Sequence, residues 1–180
     1  MSQTVTFKPL TLETWGDFEI LFGLKGACGG CWCMNWRFRK SDFDYRKGDG
    51  NKLAIRNLVK KNEVIGLMAY VDDNPAGWCA VAPREKYIRL ENSRVLRPID
   101  DKPVWSISCF FIAKPFRKKG LSVKLLKGTL EYAQKEGAKI VEAYPLQSTG
   151  EKMPDVFAWT GILSTFLAAG FREEQRHSPS

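Results

Sequence analysis

The stretch VWSISCFFIAKPFRKKGLSVKLLKGTLEYAQKEGAK, from Val104 to Lys139, decides how this chain is read. Its apolar run from Val104 to Ala113 reads as a strand, and Pro115 ends it because proline has no N–H to give to a ladder. A basic turn with a single glycine follows. From Gly120 onward Leu125, Leu126, Thr129, Leu130 and Ala133 share one helical face, while Lys124, Lys127, Glu131 and Lys135 share the other. Gly137 fits the helix stop. A strand that feeds a helix through such a turn gathers backbone N–H groups and the positive end of the helix dipole at one point. That point favours an anion, most naturally a phosphate.

Working outward, Thr4 to Leu10 alternates as a short edge strand, and Trp15, Phe18, Leu21 and Phe22 place a helix over Thr11 to Phe22 with Thr11 as its N-cap. Gly26 to Arg39, GACGGCWCMNWRFR, has neither helical nor strand period and reads as an irregular loop rich in apolar side chains. Ser41 to Asn51 reads as a polar, turn-rich connector, and Lys52 to Lys61 as a second helix. Val64–Val71 and Gly77–Pro83 read as a hairpin across the turn Asp72-Asp73-Asn74-Pro75, and Tyr87 to Asp101 as a loop. Beyond the central helix, Ile140 to Tyr144 is a short strand that a right-handed crossover lays parallel to its predecessor. Phe157 to Ala169 is a last helix closed by Gly170, and Phe171 to Arg176 a final strand. The expected order is β-α-α-β-β-β-α-β-α-β, an α/β (α+β) chain with a central mixed sheet flanked by helices.

At 180 residues the chain is expected to form one domain, 1–180. Met1 to Trp15 shows neither a basic n-region nor an apolar h-region, and the longest uncharged apolar run is too short to span a bilayer, so a cytoplasmic location is expected without membrane partners. Five cysteines, an odd count, read as thiols. The formal charge of +8 admits an anionic partner, but the cations are spread along the chain, which disfavours a nucleic-acid module. The single histidine, His177, disfavours a Ser/His triad or a histidine-rich metal site.

Two features together carry a resemblance. The turn Arg117-Lys118-Lys119-Gly120-Leu121-Ser122 lies between strand and helix, and the segment FLAAGF, Phe166 to Phe171, leads into the expected last strand. This is similar to the GNAT superfamily of N-acetyltransferases, whose signature Q/R-x-x-G-x-G/A occupies that turn and whose last helix commonly ends in GF. The resemblance implies acetyl-CoA as co-substrate, with its pyrophosphate on the N–H groups of Arg117, Lys118, Lys119, Gly120, Leu121 and Ser122. It also implies a pantetheine arm paired with the backbone of Phe110, Phe111 and Ile112. Ser122 stands where the family has Gly or Ala. Phe166 stands where many members have a tyrosine that protonates the departing thiolate, and phenylalanine has no proton to give.

The chemistry is therefore open at two places. Tyr144 is a candidate general acid and equally a packed aromatic; Glu142 is a candidate base and equally an outward-facing strand residue. Cys31, Trp32, Cys33, Trp36 and Arg37 are candidate acceptor-lining residues, because the resemblance places their segment beside the acceptor cleft. The alternatives are a packed cover with buried thiols, a reactive thiol, or zinc on Cys28, Cys31 and Cys33; for zinc no fourth ligand stands nearby, and no metal is expected. The leading reading is an N-acetyltransferase acting on a small-molecule or peptide amine. The other is a non-catalytic acyl-CoA-binding or regulatory domain. Homodimerisation is left open.

Overall fold

In the computed structural model, which describes residues 3–147 and 160–176, five strands form one mixed sheet in the order β1-β2-β3-β4-β5. They are β1 Val5–Pro9, β2 Gly66–Val71, β3 Asn74–Pro83, β4 Trp105–Ile112 and β5 Val141–Ala143. The first four run antiparallel to their neighbours, and β5 lies parallel to β4, as the crossover through a helix requires. The helices are α1 Trp15–Phe22, α2 Lys40–Tyr45, α3 Asp49–Lys60, α4 Ile88–Glu91, α5 Leu121–Lys135 and α6 Leu163–Ala168.

Both faces of the sheet are covered, which is why β2 and most of β3 read as continuous apolar runs rather than alternating ones. On one face Phe18 and Phe22 of α1, Ile55 and Val59 of α3, and Trp32 and Met34 of the intervening segment pack over Met68, Tyr70 and Trp78. On the other, Leu121, Leu125, Leu126 and Ala133 of α5 pack with Phe166 over Leu67, Cys79 and Ile107. Leu125 and Leu126 are fully buried, each contributing about 1.5–3 kcal/mol relative to exposure.

Several expectations shift. Helix α1 begins at Trp15 rather than Thr11, because the Thr14 hydroxyl turns back, donating to Pro9 O at 2.8 Å and accepting from Thr11 N at 2.9 Å. The hairpin turn needs only Asp72 and Asp73, both at positive φ, and Pro75 enters β3 where the register shifts beside Tyr70. The polar connector Ser41 to Asn51 is mostly helical, in α2 and the first turn of α3, and Tyr87 to Asp101 holds the single turn α4. The last helix is shorter than expected within the described residues; Phe157 to Trp159 of that expectation lie outside them. Phe171 to Arg176 is not a strand. Only Phe171 is apolar and half-buried there, and Arg176 bonds Glu173 at 2.6 Å, so the segment has no face to bury against a sheet.

Candidate active site

Strand β4 carries a bulge. Ala80 pairs with Cys109 but Val81 pairs with Ile107, which leaves Ser108 as the extra residue. The bulge resets which side chains face α5: Ile107 and Phe110 join that cluster, while Cys109 and Phe111 join the opposite one. Parallel pairing with β5 stops at Ile107. Among the described residues, no strand pairs with this edge of β4 from Ser108 to Ile112.

The gap is a cleft of about 200 Å3. Phe110, Phe111, Ile112 and Phe116 form its apolar side, and Arg117, Lys118, Leu121 and Ser122 its basic end at the start of α5. Lys118 at φ 59° and Gly120 at φ 74° alternate with ordinary residues, the backbone pattern from which anion-binding concavities of N–H groups are built. Helix α5 has no side-chain cap and no acidic residue in its first turn, so its dipole is left for an outside anion. A Cβ on Gly120 would meet nothing within 4 Å, so glycine is required there by the left-handed backbone rather than by crowding. Arg117 donates its Nε–H to Ile112 O at 2.7 Å and ties the turn to the strand end. The structure thus brings the sequence-read phosphate turn and Phe110 to Ile112 into one cleft, with Lys119 and Gly120 outside its lining. A basic helix N-terminus beside an apolar wall with an open strand edge fits the pyrophosphate, thioester arm and amides of coenzyme A.

The far wall was not legible beforehand. Gly161, Ile162 and Thr165 close the cleft opposite β4, held by a parallel bridge between Leu146 and Ile162. Phe166, 1% exposed, packs behind that wall edge-on to Phe171, at 5.1 Å between centroids. The only prior signal for this wall was its nearness in sequence to FLAAGF.

Glu142 and Tyr144 meet each other but do not line the cleft. Arg84, 5% exposed, was not singled out in the sequence, yet it organises them. Its Nη1 donates to Glu142 Oε1 at 2.7 Å and to the Tyr144 hydroxyl, its Nε to Glu91 at 2.9 Å, and its Nη2 to the carbonyls of Leu90 and Leu96. Glu142 Oε1 also accepts from Ser106 and from Tyr144, each at 2.6 Å. Burial, together with the bond to Glu142, pushes the Tyr144 phenol pKa up.

The cysteine segment is mostly internal. Trp32 stacks on Phe22 at 5.8 Å and 16°, and Cys31 and Cys33 are buried. Trp36 is half-buried against Tyr87 and Leu90. Arg37 lies over the Tyr87 ring at 5.0 Å and reaches Val64 O at 3.5 Å. Cys33 Sγ accepts the Trp78 indole N–H at 3.2 Å. The Cys109 thiol chiefly, then Trp78 and Arg37, draws the Cys33 pKa down against the opposing effect of burial. All five cysteines are free, and among the described residues no three His, Cys, Asp or Glu side chains converge as a metal site.

The family model "Acetyltransferase (GNAT) family" matches residues 32–151. The chain belongs to the GNAT family of acetyltransferases. Solved structures share this GNAT fold at low sequence identity. Aminoglycoside N-acetyltransferase AAC(6')-Iy in complex with CoA is 14% identical with TM-score 0.57, covering 98% of this chain and 93% of that one. AAC(6')-IG from Acinetobacter haemolyticus is 13% identical with TM-score 0.54, covering 95% and 93%. An aminoglycoside acetyltransferase from an uncultured soil metagenomic sample, in complex with sisomicin, is 16% identical with TM-score 0.54, covering 96% and 91%. No curated protein sequence matches the chain. Among the described residues, no helix of this GNAT protein is long and apolar enough to cross a membrane.

Proposed function

We propose that the protein binds acetyl-CoA in the cleft between β4, α5 and α6 and transfers the acetyl group to a primary amine of a small molecule or an exposed amino group. The observation that carries this reading is the coincidence, in one cleft, of an uncapped basic helix N-terminus with a strand edge that lacks a partner strand among the described residues. Acetyl-CoA supplies an activated thioester, and an uncharged amine attacks its carbonyl as the thiolate departs. The chain's own contribution is mainly positioning. The turn from Lys118 to Ser122 would hold the diphosphate through its N–H groups, the Arg117 N–H expected among them being given to Lys114 O instead, and the edge of Phe110 to Ile112 would hold the arm. The end of β5 and the bulge at Ser108 border the side from which the amine arrives.

Glu142 accepts three hydrogen bonds on one oxygen, and Tyr144 commits its proton to that carboxylate. Both therefore act as a buttress for the β4–β5 junction in this reading, with solvent taking the amine's proton. A second reading, a non-catalytic acyl-CoA-binding domain, is favoured by Phe166, which brings no hydroxyl to the position where the resemblance implies a tyrosine in many members. Thiol release from acetyl-CoA with a panel of amines separates the two. The transferase releases thiol in proportion to amine; a binder shows acetyl-CoA affinity and releases none.

A further inference from the structure

We infer that the Phe166 ring is the floor behind the acyl end of the cleft and limits the donor to short acyl groups, acetyl above all; this rests on the reading that acetyl-CoA occupies the cleft. The direction of the bound arm follows from its phosphate end. The anion-favouring turn is tied to the Ile112 end of the strand edge, where Arg117 Nε donates to Ile112 O at 2.7 Å. An arm that leaves this turn along β4 moves away from Ile112 by about 3.3 Å per residue, and brings its thioester beside Phe110 and the bulge at Ser108. Both charged lining residues, Arg117 and Lys118, belong to the turn, so the acyl end selects by shape rather than by charge.

Two lining residues on opposite sides of the cleft rest on this one ring. Phe110 meets it edge-on, with centroids 6.3 Å apart. Gly161 presents only backbone to the cleft, and the place where its Cβ would stand is taken by Phe166 Cε2, 2.4 Å away. The wall there is one backbone thick, with the ring directly behind it. The ring has no room to retreat, because Phe171 closes on it at 5.1 Å and it is buried in the cluster that α5 forms with the sheet. The wall is held as well: Gly161 O accepts from Leu146 N, and Leu146 O from Leu163 N, each at 2.9 Å. A close-packed interior of this kind yields little to an added methylene.

Trimming the ring changes both supports at once. It frees the space behind Gly161 and lets the Phe110 ring swing back, so the cleft deepens at its acyl end. A space lined by aliphatic and aromatic side chains stays dry and takes apolar guests. The guest in this case is the added length of a longer acyl chain, and each methylene that enters such a space gains about fourfold in affinity. Phe166, which has no proton to give, thus acts as a gauge of acyl length.

Calorimetric titration of coenzyme A, acetyl-CoA, propionyl-CoA and butyryl-CoA onto the protein tests this without need of an acceptor amine. The wild type should bind acetyl-CoA at least about tenfold more tightly than butyryl-CoA, with propionyl-CoA between them. Phe166→Ala should shift the ratio of the two affinities by about fifteenfold toward butyryl-CoA, the gain of two methylenes. Phe166→Leu, a smaller truncation, should shift it the same way by less, and serves if Phe166→Ala does not fold. Phe18→Ala empties a ring-sized space on the opposite face of the sheet and should leave the ratio unchanged, which separates a gauge of length from a loosened core. Butyryl-CoA bound by the wild type as tightly as acetyl-CoA, a ratio unmoved in a folded Phe166 variant, or an equal shift in Phe18→Ala overturns the inference. If neither coenzyme A nor any of its esters binds the wild type, the reading of the cleft fails and the inference falls with it; if all bind alike, the inference alone fails.

Discussion

The Phe166 ring stands edge-on to Phe110, with centroids 6.3 Å apart and planes inclined at 61°. The residue that the GNAT resemblance sets where a tyrosine would serve as acid thus reaches the strand that forms the cleft wall, and reaches it without a proton. Phe166→Tyr should raise kcat for thiol release by about a hundredfold, the lower end of what a positioned general acid contributes. An unchanged kcat in a folded variant would show that the departing thiolate needs no acid from this position. Phe166→Ala should instead lower unfolding stability by about 3–5 kcal/mol, read from urea midpoints, because it empties a ring-sized space in the core.

Gly161 makes the far wall possible. Its backbone sits at φ 83°, and a Cβ there would lie 2.4 Å from Phe166 Cε2. Gly161→Ala should cost roughly 2–4 kcal/mol through combined strain and overpacking. It should also weaken acetyl-CoA binding by displacing the wall. A variant with native stability and affinity would mean that the wall yields freely.

Arg84 holds Glu142 at 2.7 Å from a nearly sealed position. Arg84→Met should therefore destabilise by about 3–5 kcal/mol, since it leaves a carboxylate inside without its cation. Adding Glu142→Gln should recover part of the loss by removing that charge. A loss below about 1 kcal/mol in the single variant would place the pair with surface ion pairs.

Stability should fall as pH rises above about 9. Burial pushes the Cys31 thiol up to about 11, and the Cys79 thiol and the Tyr87 phenol each up to about 12, all from lower values in the open chain. The unfolded chain then releases protons that the folded protein keeps, so the open state gains from alkali: this stability is present below the unfolded pKa and lost as pH rises toward the folded one. Cys109, pushed up by its contact with Cys33 and by burial, adds to the same trend. Cys33 goes the other way, its stabilisation being lost as pH falls through its lowered value, and it adds little slope above pH 9. Urea midpoints at pH 8 and pH 10 check this; an equal or higher midpoint at pH 10 contradicts it.

What was legible in the sequence was whatever a local period carries. The run before Pro115 and the stripe of α5 fix β4, the turn and the helix, because both faces of that unit are written in nearest neighbours. The short helices α2 and α4 were missed because six and four residues are too few for a helical period to show. FREEQR was misread as a strand because proximity to GF outweighed its lack of an apolar face. At the site, the turn from Arg117 to Ser122 could be read because it is one contiguous segment. The wall of Gly161 and Thr165, the Arg84 cluster and the Arg37–Tyr87 stack join residues from distant segments, and no periodicity records which ones meet. The GACGGCWC segment was open between cleft lining and core cover; Trp32 on Phe22 and the buried Cys33 place those two in the core.

The central claim is that acetyl-CoA occupies the cleft whose phosphate end is the N-terminus of α5. Calorimetric titration of acetyl-CoA onto the wild-type protein and onto Gly120→Glu tests it most directly, since the new carboxylate adds repulsion and a disfavoured left-handed residue at that turn while the core stays untouched. The account predicts saturable one-to-one binding to the wild type, and its loss in the variant with little change in thermal stability. Absence of binding to the wild type, or equal affinity in both proteins, would contradict it.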